Sequence, residues 1–239
     1  MVLPEWRPRT TAHDVVGPPY ARNMARTSDS PASPRVTAPD LPPVLEPARA
    51  ARSADLVAAR LDLAGTVDLA YSTVEQCVVS ADADAVDLTG ASVVDVDMSG
   101  VRIASLRMRD AGVRRVRING GRIGTLDLSE AHVSEFDLRD VRIDYLNLGA
   151  AKVTDLEITG CAIRTIDMPR AELTRVRFTS TSSDEVDSRG MRAKDLDLRG
   201  LDALGYLDAN SLRGATLTSF QVQQLAPVLA AGIGILVKD

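Results

Sequence analysis

The sequence predicts an all-β solenoid, a four-sided parallel β-helix with a capping helix at its C-terminal end. Three observations lead there. Residues 86 to 205 divide into 24 consecutive five-residue units without an insertion. Alanine returns at a spacing of 20 within them, at Ala91, Ala111, Ala131, Ala151 and Ala171. Aromatic residues make up only 3% of the 239-residue chain.

The period of five is neither helical nor that of a plain strand, whose faces recur at 3.6 and 2. Written in fives, the text runs VDLTG ASVVD VDMSG VRIAS and so on to LDALG. The third position is apolar in 22 of 24 units, with Ser183 and Ser188 as exceptions. The first is apolar in 22 of 24, broken by Gly121 and Thr181, and the second is apolar once, at Ala162. Two inward residues flanking one outward residue make a short strand, and the next two residues turn a corner. No such unit buries its inner face alone, so coils must stack. The alanine spacing makes four units one coil, with one side of small residues beside sides of Val, Leu, Ile or Phe. Low aromatic content fits this interior, because Phe, Tyr and Trp carry the volume of ordinary mixed cores. Six coils at about 4.8 Å each make a rod roughly 29 Å long.

The units VDLTG, VDMSG, LDLSE, FDLRD, LNLGA and LDLRG resemble the pentapeptide-repeat family, whose consensus is A-(D/N)-L-x-x. The resemblance implies a right-handed quadrilateral β-helix. Over roughly residues 35 to 239 the chain is similar to actinobacterial members with a Pro-rich lead-in and a C-terminal helix. The motif specifies the fold and not a function.

The chain is expected to fall into three parts. Residues 1–50 hold ten of the twelve prolines and no apolar periodicity, so this segment is expected to be extended or disordered. If extended it would lie against the body in polyproline form, with APDLPPVLEPA (38 to 48) docking as it enters. Residues 51–217 form the β-helix. Upstream of 86 the fives continue one residue later through Val67, Leu69, Val74, Cys77 and Val79, until ADADA (81 to 85) resets them. One or two further coils are expected there, from about residue 54 or 61, with a bulge or short loop near 80 to 85. The polar stretch TSTSSDEVDS (179 to 188) is expected to protrude or sit loosely. Residues 218–239 read as a helix and a short strand, serving as cap or dimer patch. Thr218 and Gln221 have capping-box spacing, Val222, Leu225 and Leu229 share a face, Pro227 sits inside, and Gly232 is a stop signal. An open coil end exposes strand edges and needs such a cover.

Enzyme chemistry is not visible. His13 lies in the tail and His132 is an outward second-position residue, with no Ser or Cys nucleophile placed to use it. Cys77 and Cys161 have no metal-ligand spacing and read as small buried hydrophobes, which fits a reducing, cytoplasmic setting. No phosphate loop, dinucleotide fingerprint or HExxH occurs. The outward acids, such as Asp87, Asp97, Asp127, Asp137, Asp167, Asp187 and Asp197, are the family's default second-position residue. No catalytic, cofactor or metal residue is therefore assigned. The apolar stretch LAPVLAAGIGILV (225 to 237) falls short of a bilayer span, which needs roughly 18 residues or more. The start, MVLPEWRPRT, has no apolar signal core.

Charge is more informative. Net charge is −5, and residues 86 to 205 carry 20 acidic and 18 basic side chains. Residues one coil apart stack, so Asp97, Arg117, Asp137, Glu157, Arg177 and Asp197 make one mixed ladder. Asp87, Arg107, Asp127, Asn147, Asp167 and Asp187 make another. Both help to set coil register. Arg102, Arg122 and Arg142 stack with no acid between them. With Arg107, Arg109, Arg114, Arg115 and Arg117 they form a basic belt, the candidate partner-binding face. Phe220, Val222, Leu225, Val228 and Leu229 form the candidate cap or dimer patch.

The expected function is a non-enzymatic scaffold presenting its surface to a macromolecular partner, foremost a protein. One alternative, carried by the family resemblance, is a DNA mimic that modulates a type II topoisomerase. The near-neutral rod argues against it, because a decoy for polyanion-binding proteins must be acidic. Another is a homomeric assembly protein, dimeric through its C-terminal patch. Nucleic acid binding is disfavoured by the lack of an aromatic stacking platform, and no membrane contact is expected.

Overall fold

The structure is a computed structural model that describes residues 30–238. Expectations for residues 1–29, including His13, lie outside it. The described chain winds into a parallel β-solenoid of about eight turns, its strands joined in one sheet that coils on itself.

Each full coil has four sides. Along side one, Leu56, Val74, Val93, Val113, Val133, Val153, Leu173 and Ala193 are register partners in turn. The first two coils are shorter, because Leu56 pairs with Val74 and Val74 with Val93. The register shifts between Val79 and Asp82, and Asp82 then pairs with Arg102. That offset stays constant as far as β14, and shortens once more where Leu196 pairs with Ala215. The strands in chain order are β1 (Glu46–Pro47), β2 (Asp55–Val57), β3 (Ala59–Asp68), β4 (Thr73–Asp87), β5 (Ser92–Arg107) and β6 (Gly112–Asp127). From β7 (His132–Arg139) onward the corners interrupt the strands. They continue as β8 (Arg142–Asn147), β9 (Lys152–Thr159), β10 (Ala162–Asp167), β11 (Glu172–Thr179) and β12 (Thr181–Asp187). The last are β13 (Arg192–Asp197), β14 (Leu201–Tyr206) and β15 (Ala215–Thr216).

First and third positions fill the interior as continuous columns. Val96, Val116, Phe136, Leu156, Val176 and Leu196 are buried on side two, and Leu106, Leu126, Leu146, Ile166 and Val186 on side four. Each buried Val, Leu or Phe contributes about 1.5–3 kcal/mol, which makes these columns the main source of stability. Cys77 and Cys161 sit in the same interior, and burial pushes both thiols up.

The corner between sides four and one explains the second-position acid. Ala91 N–H donates to Leu88 C=O, closing a turn whose third residue, Gly90, has φ of +65°. The same turn recurs with Asp110, Glu130, Ala150 and Arg170 at positive φ. These are type II-like turns, and Pro169 takes the position such turns favour for proline. Asp87 accepts the Thr89 N–H at 2.9 Å, and Asp127, Asn147 and Asp187 repeat that bond two residues ahead of themselves. A short acceptor at the second position thus fastens four of these six turns, the exceptions being those after Arg107 and after Asp167, which faces Pro169.

Two expectations about strands differ from the structure. The stretch 179 to 188 does not protrude or sit loosely: β12 pairs in regular register with β10 and β14. Thr181, Ser183 and Ser188 are buried, and their hydroxyls donate to backbone carbonyls of Thr179, Glu185 and Asp208 at 3.0, 3.0 and 2.5 Å. A hydroxyl whose hydrogen bond is supplied by the coil itself is tolerated inside. No strand follows the C-terminal helix α1 (Ser219–Gly232); residues 235–238 have no pairing partner among the described residues.

At its start, α1 carries the full capping box between Thr218 and Gln221. It continues across Pro227 and closes at Gly234, where Ile235 N–H reaches Ala230 C=O and Gly234 N–H reaches Ala231 C=O. That is a Schellman closure with Gly234 at positive φ. Gly232 serves packing instead, since a Cβ there would lie 2.6 Å from the Asn210 side chain.

Candidate interaction surface

Side three carries the arginine stack. Arg102 and Arg122 are lateral partners of β5 and β6, and Arg122 and Arg142 of β6 and β8. Asp82 precedes them in register and Ala162 follows. All three arginines are exposed. Arg122 reaches Asp144 at 3.0 Å, and Arg164 approaches the same carboxylate at 3.7 Å. That contact with Arg122, set against slight burial, holds the Asp144 carboxyl below its ordinary value, with Arg164 and Arg142 adding to it. Arg102 and Arg142 make no hydrogen bond or ion pair among the described residues. Beside them the small fourth-position residues Ala104 and Gly124 leave a shallow depression bordered by Asp82 and Asp144.

The other arginines of the belt lie on other sides. Arg109 pairs with Glu130 at 2.5 Å, Arg115 grips Asp95 through two bonds at 2.6 and 2.7 Å, and Arg117 meets Asp137 at 3.3 Å. Arg107 and Arg114 are exposed and have no ion-pair partner among the described residues. The eight residues therefore encircle the rod. Only Arg102, Arg122 and Arg142 form a ladder, and only Arg122 in it has a carboxylate within salt-bridge distance.

The corner between sides one and two carries a different pattern. Its fifth-position residues are Asp95, Arg115, Glu135, Asp155, Arg175 and Asp195, all at positive φ. Arg175 grips Asp155 at 2.6 and 2.8 Å, as Arg115 grips Asp95 three coils away. Burial alone would raise the Asp95 and Asp155 carboxyls, but the arginines and two backbone amides outweigh it and hold both below their ordinary value. Those amides belong to Asp40 and Arg35, in a proline-rich strap that runs along this corner from residue 31 to residue 45. Ala32 N–H reaches Asp195 at 3.1 Å, the Thr37 hydroxyl reaches Glu135, and Arg177 reaches the Ser33 hydroxyl at 3.2 Å. The strap then enters the solenoid through β1, which pairs with β3 at the N-terminal edge.

From Val86 to Gly205 the sides repeat one pattern in fives, first and third positions inward and second outward, with four sides to a coil. The chain folds as a pentapeptide-repeat solenoid. No family model matches its sequence, and no curated protein does either. Solved structures similar to it include a trypsin-treated variant of QnrB1, described as a plasmid-mediated fluoroquinolone resistance protein. That likeness has 15% identity and a TM-score of 0.28, and covers 78% of this chain and 100% of that one. HetL, a pentapeptide repeat protein involved in heterocyst differentiation regulation from the cyanobacterium Nostoc, shows 15% identity and a TM-score of 0.26. Coverage there is 68% of this chain and 86% of that one.

At the C-terminal end of the solenoid, β14 pairs with β12 and leaves its other edge free among the described residues. The helix α1 leans over it. Leu225 is buried and Leu229 packs on the core, whereas Phe220, Val222 and Val228 are exposed, as is Leu204 on the strand. The five patch residues thus divide between cap and surface. The Gln221 amide ties helix to coil by donating to the carbonyls of Leu198 and Leu201, both at 2.8 Å. Tyr206 closes the interior; its buried hydroxyl has no protein partner among the described residues, and burial pushes its phenol up to about 12. His132 stands exposed on β7. Among the described residues no three His, Cys, Asp or Glu side chains gather in a metal-binding cluster, and no helix is long and apolar enough to cross a membrane.

Proposed function

We propose that this chain is a non-enzymatic scaffold whose arginine-bearing side binds an acidic macromolecular partner, foremost a protein. The observation that carries the reading is the ladder of Arg102, Arg122 and Arg142. Like charges on adjacent strands cost energy. On sides two and four Arg107, Arg117 and Arg177 each have an acid as lateral partner on both neighbouring strands, whereas on side three no acid stands in the row between Asp82 and Ala162. The strap keeps to the corner between sides one and two, so no described residue covers the ladder. An arginine row spaced by about 4.8 Å suits carboxylates along an acidic segment.

The test is titration of a labelled oligo-glutamate peptide into the wild-type chain and the Arg102→Glu, Arg142→Glu variant. Both sites are exposed, so the fold should persist, as circular dichroism can verify. The variant is expected to bind at least roughly tenfold more weakly, about 1.4 kcal/mol, and with a shallower salt dependence. Equal affinity, or tighter binding of duplex DNA than of the peptide, would contradict the reading.

A second reading rests on the open end of the solenoid. Phe220, Val222, Val228 and Leu204 make an exposed apolar surface beside a strand edge that no described residue pairs with, a patch that suits a homodimer. Light scattering should then give twice the 25.6 kDa chain mass, and the chain mass alone after Phe220→Glu. A monomeric wild type would exclude it.

A further inference from the structure

Three amides of the strap meet three carboxylates of one corner, and each belongs to the residue after a proline: Pro31–Ala32, Pro34–Arg35 and Pro39–Asp40. The spacings match on both partners. Ala32 to Arg35 covers the two coils from Asp195 to Asp155, and Arg35 to Asp40 covers the three coils from Asp155 to Asp95. The whole run is roughly 24 Å at ~4.8 Å per coil. The strap covers it from Ala32 to Asp40 at about 3.0 Å per residue, close to the ~3.1 Å rise of a polyproline II helix. Such a helix turns every three residues, so one face repeats at that interval. Pro31 and Pro34, and then Pro39, Pro42 and Leu45, keep that interval and are half-buried against the solenoid; the five-residue step from Pro34 to Pro39 shifts the phase once, and Val36 and Leu41 are half-buried as well.

Two of the three carboxylates are held by the solenoid itself. Arg115 and Arg175 fix the Asp95 and Asp155 carboxylates from the next coil, each bonding both oxygens, and Oδ1 accepts the strap amide beside the arginine Nε. Preorganised acceptors of this kind lower the cost of binding an extended peptide. From Pro31 to Leu45 the strap's described bonds to the body all use side chains of the body, and no strand ladder forms there. The first backbone-to-backbone bond of the entering chain is Glu46 N–H to Ala58 C=O at 3.2 Å. A segment held this way opens more easily than the coils beneath it.

We propose that this corner is a binding groove for extended proline-rich peptides, with residues 31–42 as its resident and exchangeable ligand. The groove selects a polyproline II backbone with free N–H groups at positions i, i+3 and i+8, each just after a proline. It lies at a different corner from the arginine ladder and does not depend on it.

The test uses the full chain. Ala32→Pro, Arg35→Pro and Asp40→Pro together delete the three donors and keep an extended backbone. The Val36 and Thr37 chemical shifts report whether the strap leaves. A labelled peptide of residues 30–47 is then titrated into both proteins. The variant's strap is expected to take random-coil shifts. The peptide should bind the variant at least roughly tenfold tighter than the wild type, whose seat is filled, and a peptide carrying the same three prolines should not bind. A strap that stays docked, a vacated groove that ignores the peptide, or equal binding of both peptides would overturn the proposal. Should the variant not fold, Asp195→Ala with Glu135→Ala weakens the seat from the solenoid side. Strap shifts must then move toward random coil, and unchanged shifts would overturn it.

Discussion

Gly121 occupies a first position, where the same column carries Val101, Val141 and Cys161 facing inward. The repeat pattern alone would invite an apolar side chain there. In the structure the residue has φ of +100°, and a Cβ would fall 2.1 Å from the Val101 carbonyl oxygen. The backbone turns so closely on the coil beneath that only glycine fits. Gly121→Ala is therefore expected to destabilise the chain by about 2 kcal/mol or more, read as a lowered thermal midpoint. An unchanged midpoint would show that the coil relaxes at no cost. The buried hydroxyls carry the opposite lesson. Thr181, Ser183 and Ser188 break the apolar pattern, yet the coil holds them because each finds a backbone carbonyl. Periodicity registers the polarity of a side chain but not the acceptor waiting for it, so that stretch reads as loose in the sequence.

At the scale of elements, α1 is tied to the last coil by one polar residue as well as by its apolar face. Gln221 completes the capping box at Thr218 and also donates to Leu198 and Leu201. Gln221→Ala should cost about 1–2 kcal/mol locally. Hydrogen exchange across Val222–Ala230 is expected to speed up while β6 to β9 stay protected; an equally protected helix would place the anchor at Leu225 instead. The capping box is legible from spacing, because it is a local motif. The bonds to the last coil are not, because they join the helix to residues distant in sequence that no local motif relates to it. The strap shows the same divide. Its prolines and the corner residues 95, 115, 135, 155, 175 and 195 are both plain in the text. What relates them is a match of rises, about 3.1 Å per residue of polyproline against about 4.8 Å per coil. That match becomes visible only once the path of the strap along the corner is known.

For the whole molecule, the solenoid follows from a five-residue pattern sustained over 24 units. The faces follow from the residues that pattern leaves free. The eight arginines of the belt look alike in sequence because spacing gives the side of the rod and not the pairing of the side chain. The structure separates Arg109, Arg115, Arg117 and Arg122, each bonded to a carboxylate, from Arg102, Arg107, Arg114 and Arg142. Of these last four, Arg102 and Arg142 flank Arg122 in one lateral row. Binding is therefore expected on side three. Hydrogen exchange with and without saturating oligo-glutamate tests this most directly. Added protection is expected on β5, β6 and β8 around Arg102, Arg122 and Arg142, with the strap and α1 unchanged. Protection spread evenly around the coils, or confined to the strap corner or the C-terminal end, would contradict it.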